Sequence, residues 1–166
     1  MIESHADELY AYLQREKIDI GTMTPVAHNF GIRAFTEDRV AAMSGYLTDE
    51  PFLLQQQGEP FQVFNPRHVG IDFYGEILFT TEDTIANYPK QVEAFRKASL
   101  KGWEYALNHP EEVIQWLQQR YQTQKSAAHL RFEHQKMQEL IQPDLIEVGH
   151  MHQGRWQHIA RTYADL

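Results

Sequence analysis

The chain changes texture near residue 82, and that change constrains the fold more than any single motif. Before it, short apolar runs mix with short helical patterns; after it, helical periodicity is almost continuous. Thr81 is placed to cap a helical turn at 82–88, and Pro89 then opens a long helix to about Asn108. Its apolar stripe is Val92, Phe95, Ala98, Leu100, Trp103, Ala106 and Leu107. Pro110-Glu111-Glu112 starts the next helix, ending near Tyr121, with proline where its missing N–H costs nothing and acids at the positive end of the dipole. Ser126 is the expected cap of a third, running to Gln142 before Pro143. Residues 155–164 read as a last helix with Trp156, Ile159, Ala160 and Tyr163 on one face.

The first half reads differently. Residues 4–16 form an amphipathic helix on Ala6, Leu9, Tyr10 and Leu13, with Ser4 as its cap and Asp7 three positions on. Residues 20–27, 39–43, 61–64 and 77–80 are strand-like, and 30–36 suits one or two helical turns. Thr48-Asp49-Glu50-Pro51 is a helix-start signal, and Gly58 fits the left-handed position past that helix's end. Asn65–Gly75 is a loop or hinge. Short βα pieces followed by a helical block predict an α/β fold with about four or five strands. No strand precedes the first helix, so the sheet is expected to be incomplete in this chain. Two segments are expected, an α/β part with the hinge at 1–81 and a helical part at 82–166.

Composition removes several function classes. About 42% of the 166 residues are apolar, enough for a real core. Fifteen basic residues against 23 acidic ones leave a net charge of −8, a poor match for a phosphate backbone, so nucleic acid is not an expected partner. No run approaches the length of a membrane span, and no basic-then-apolar leader opens the sequence. There is no cysteine, which excludes disulfides, thiolate metal sites, iron–sulfur clusters and a cysteine nucleophile.

Catalytic patterns are equally sparse. His150 and His152 share a face if extended, yet no HExxH is present and no carboxylate lies between them; cap or surface histidines explain them better. His129 and His134 are five apart, poor ligand spacing on a helix. Ser44 and Ser99 lack the strained turn of a nucleophile, and GxGxxG and Walker patterns are missing. No metal and no cofactor is expected. The unusual stretch is 64–81, FNPRHVGIDFYGEILFTT, which sets Asn65, Arg67, His68, Asp72 and Tyr74 between two strand-like runs. Rings beside a carboxylate suit a flat polar heterocycle, which stacks on one and donates N–H groups to the other; a hinge whose aromatics merely pack explains the same residues.

Four stretches together resemble a known family: RVAAMSGYLTDEPF at 39–52, NPRHVGIDFYGEILFTTE at 65–82, VEAFRKASLKGWEYALNHPEEVI at 92–114 and PDLIEVGHMHQGRWQHIARTYADL at 143–166. They are similar to the NMT1/THI5-like branch of the type 2 periplasmic-binding-protein fold, in the versions used as sensor domains of bacterial GGDEF and histidine-kinase signalling proteins. The resemblance implies two α/β lobes with ligand between them, of which this chain would carry most of lobe two and the C-terminal helices of lobe one. It implies binding of thiamine-pyrimidine precursors or similar heterocycles. Mapped residue by residue, it implies ligand contacts at His28, Tyr46, Glu50, Asp72, Phe73 and Tyr74. Residues 40–43 read VAAM where VDAM is usual in the family, and Asp49 stands where Asn is common. Pyrimidine-synthase members carry a cysteine-rich iron-binding motif that this chain lacks, so an enzyme is not expected.

The resemblance therefore implies an extracytoplasmic sensor module acting on a downstream signalling domain; the alternatives are a solute-binding protein serving an ABC permease and a pyrimidine-synthase-like enzyme. A partial fold would leave Phe95, Trp103, Trp116 and Trp156 without a sheet to cover, and an exposed apolar patch of that kind favours association. Light scattering after size exclusion is expected to report a homodimer or larger; a monomer that persists on dilution contradicts this.

Overall fold

The computed structural model describes residues 7–28 and 31–166. Among these residues the regular structure is helical: α1 (Asp7–Arg15), α2 (Arg33–Thr36), α3 (Glu50–Gln57), α4 (Glu82–Asn87), α5 (Pro89–Asn108), α6 (Pro110–Gln119), α7 (Ala127–Ile141) and α8 (Gln153–Ala164), with 3₁₀ turns at Ile20–Thr22 and Pro66–Val69. No helix among them is long and apolar enough to cross a membrane.

The helix boundaries follow local chemistry. Thr81 and Ser126 each accept a hydrogen bond from the backbone N–H three residues on, those of Thr84 and His129. Prolines stand in the first turns of α3, α5 and α6. Gly58 closes α3 at φ 70°, and Gln142 closes α7 at φ 52° just before Pro143. The predicted Ser4 cap lies outside the described residues.

The α/β expectation, a partial type 2 periplasmic-binding-protein fold, is corrected: among the described residues there is no strand and no sheet. The strand-like runs fold in other ways. Residues 20–22 wind into a 3₁₀ turn because the Asp19 carboxylate accepts from the Gly21 N–H at 2.8 Å. The N–H groups of Arg39 and Val40 fold back onto the Ala34 carbonyl, finishing α2 instead of opening a strand. Residues 61–64 and 77–80 take up no regular structure, with Phe79 86% exposed. A strand exists only through its ladder partner, so an apolar β-prone run is a necessary sign of one and not a sufficient one.

The chain forms two compact units. The first comprises the described residues up to Tyr74 together with 151–166; the second is 75–150. In the first unit Ala11, Tyr12 and Leu13 of α1 bury against Ile71, with Leu9, Ile20, Val69 and Phe73 packed around them. In the second, Leu107, Ile114 and Leu130 are buried, one each from α5, α6 and α7. Arg131 grips Glu111 with both Nε and Nη2, at 2.7 and 2.6 Å, and holds that carboxyl below its usual range. His134 donates from Nε2 to the Leu107 carbonyl at 3.0 Å, tying α7 to the end of α5.

Leu130 carries the α7 side of that seam. Leu130→Ala is expected to cost about 2–4 kcal/mol by lost burial plus the cavity left behind, read as a lower denaturation midpoint with an unchanged slope.

Candidate functional site

Two side-chain clusters in the first unit gather the six residues implicated by sequence. The first surrounds the turn into α3. Glu50 is the first residue of that helix, and its side chain curls back so that Oε2 accepts the Tyr46 N–H at 2.6 Å. The Asp49 N–H donates to the Tyr46 carbonyl at 2.9 Å, closing the turn. Gly45 leaves room for the approach: a Cβ there would sit 3.0 Å from Glu50 Oε2, and the carboxylate would have to give by a few tenths of an ångström. Tyr46 projects from this turn with 62% of its surface exposed. On the other side His28 Nε2 donates to the Ser44 carbonyl at 3.1 Å. His28, Tyr46 and Glu50 therefore meet around one short loop, although 18 positions separate the first two.

Chemically this loop offers an exposed ring beside an anchored carboxylate. One oxygen of Glu50 is committed to the backbone; the other takes no hydrogen bond from the described residues. A carboxylate held in one orientation by a backbone N–H is a pre-set acceptor for a ligand N–H, at little ordering cost on binding.

The second cluster holds Asp72, Phe73 and Tyr74, and it faces α8. The Asp72 carboxylate pairs with Arg67 Nε at 2.8 Å and with the Arg155 guanidinium. Arg155 also donates from Nε to the Asp72 carbonyl at 2.9 Å and from Nη2 to the Phe73 carbonyl at 3.4 Å. Its guanidinium carbon lies 4.4 Å from the Tyr74 ring centroid. The Phe73 ring stacks on Tyr163 at 5.4 Å, and the Tyr74 ring tilts against Trp156 at 5.1 Å. The Tyr74 hydroxyl accepts the His152 N–H at 2.8 Å, and His158 Nε2 donates to the Gly70 carbonyl at 2.8 Å.

Sequence reasoning missed Arg155 and the partners it makes with the 70–74 strap. The available signal was GRWQHIA, which places Arg155, Trp156 and His158 within one turn of a helix; nothing in it named the strap as their target. The histidines have structural tasks here. His152 caps α8, its Nδ1 accepting from the Gly154 N–H at 3.1 Å, and His158 satisfies a strap carbonyl.

Charge in this cluster is uneven. Partial desolvation, reinforced by the Asp72 carboxylate, raises the Glu8 carboxyl above its usual range against the lowering pull of Arg67. Burial, then Asp7 and Glu8, push the Tyr163 phenol up as well. For Glu8 the sign is set by proton binding: the folded chain holds this proton more tightly than the unfolded one. Stability from this group is present below the ordinary carboxylate range and is lost as pH rises through the elevated one. Glu8→Gln is expected to flatten that part of the curve and to raise Tm at neutral pH relative to acid pH, measured by thermal scans from pH 4 to 7.

The profile of the NMT1/THI5 like family matches residues 3–113. A formylaminopyrimidine-binding protein of Halalkalibacterium halodurans is 30% identical over 75 residues, covering 45% of this chain and 23% of the relative. The matched part of this chain thus spans less than a quarter of that relative's length. No solved structure matches.

Proposed function

We propose, from the premise that this chain belongs to the NMT1/THI5-like family, that it is part of a small-molecule-binding module whose ligand is an aminopyrimidine or similar flat heterocycle. The observation that carries the reading is the turn from Gly45 to Glu50, with its exposed Tyr46 ring and its backbone-anchored carboxylate. An aminopyrimidine offers a π-face to the ring and N–H donors to the acid. A stacked ring pair contributes about 0.5–1.5 kcal/mol beyond its buried area, and a charge-assisted hydrogen bond about 1.5–3 kcal/mol. His28 braces the loop through the Ser44 carbonyl. Asp72, Phe73 and Tyr74 enter as secondary contacts. Their groups are already engaged by α8, so a ligand there would compete with Arg155 and His152.

The module binds without converting its ligand, and it works outside the cytoplasm. Its first use is as the sensor of a signalling protein, where the ligand biases a downstream output domain by no more than its differential affinity for two states. The second is delivery of the ligand to an ABC permease, a reading favoured by the name of the relative as a binding protein. The exposed Phe95, Trp103 and Trp116 of the second unit support self-association in either setting.

Calorimetry with a formylaminopyrimidine tests the assignment. Glu50→Gln and Tyr46→Ala are each expected to weaken binding about tenfold or more, with unchanged helical circular dichroism. Full affinity in both variants, or no binding by the parent protein, removes the turn from the site.

A further inference from the structure

The chain leaves the first unit after Tyr74 and re-enters it at Met151. These two crossings are joined to one another. The His152 N–H, one residue past the re-entry, donates to the Tyr74 hydroxyl, the last side chain before the exit. One helical turn further on, Arg155 takes the Asp72 and Phe73 carbonyls and the Asp72 carboxylate, and it lies over the face of the Tyr74 ring. The His152 side chain starts α8 through the Gly154 N–H, which fixes the register that brings Arg155 onto the strap.

We propose that Arg155 is the positioning residue of a lock between the exit and the return of the chain: it sets the backbone at 72–73 and the Tyr74 ring, and Tyr74 in turn holds the His152 amide. The two crossings then open or stay shut together. The planar fork of arginine is what the geometry uses. Several donors reach separate acceptors from one rigid group, while its flat face covers a ring; an ammonium is a point donor and provides neither. In its bearing on ligand affinity the inference rests on the proposed binding role of the strap; the lock itself stands without it.

Amide hydrogen exchange of the full chain, read residue by residue by NMR, tests the lock. In Arg155→Ala the amides of 71–75 and 151–156 are expected to exchange about tenfold or more faster, while those of α6 and α7 keep their parent rates. Arg155→Lys is expected to restore less than half of that protection on a logarithmic scale. Tyr74→Phe removes only the hydroxyl, and the His152 amide is expected to lose protection in it. This last variant decides the matter if Arg155→Ala does not fold. Parent-like exchange at His152 in Tyr74→Phe, acceleration spread evenly through α6 and α7, or full rescue by lysine overturns the proposal. Local opening in Arg155→Ala with undiminished formylaminopyrimidine binding upholds the lock and removes the strap from the ligand site.

Discussion

The first unit is organised around one buried side chain, Ile71, and around the contacts that hold the strap carrying it. Ile71 is fully buried, at 0% exposure, in the centre of the 70–74 strap. Among the described residues the strap has no ladder partner, and side chains of α8 meet its carbonyls: His158 at Gly70, and Arg155 at Asp72 and Phe73. The burial of Ile71 against α1 and the polar contacts of α8 thus hold the same strap from two sides.

The two clusters in this unit differ in how they are built. The Gly45–Glu50 turn is local. Its anchoring contact spans four positions, beside a glycine that leaves the carboxylate room to approach the backbone. The strap cluster is non-local, with contacts such as Arg155 to Asp72 bridging 83 positions. A local turn keeps its shape when distant parts of the chain shift, and its exposed ring leaves room for a partner. A non-local cluster concentrates the consequences of any movement of α8 in the strap. The second unit needs neither device, because α5, α6 and α7 bury Leu107, Ile114 and Leu130 along an ordinary helical seam.

Legibility in the sequence follows the same division. The helices were readable because their ends are written in neighbouring residues: Thr81, Ser126, Pro51, Pro89, Pro110 and Gly58 each act within one turn. The strand-like runs were misleading because Val63, Phe64, Leu78 and Phe79 carry the right residue types, while pairing is a property of two segments. The acid and rings of GIDFYG stood out as a loop that needs explanation. That their partners are Arg155, Trp156, His158 and Tyr163 was not visible, since helical periodicity tells which face of α8 is apolar and not what that face meets. Family membership was legible because the resemblance rests on strings of residues, among them RVAAMSGYLTDEPF and NPRHVGIDFYGEILFTTE, which lie within the matched residues 3–113 whatever their packing.

By itself the sequence determined where helices start and stop, what chemistry the chain lacks, and which loops combine rings with acids. Those are short-range facts, decided by backbone sterics, caps and composition. Only the tertiary structure decided whether β-prone runs pair, and that the last helix returns to serve the strap. These depend on which distant segments come together, and the free energy that selects among such pairings is spread over contacts that no local window contains.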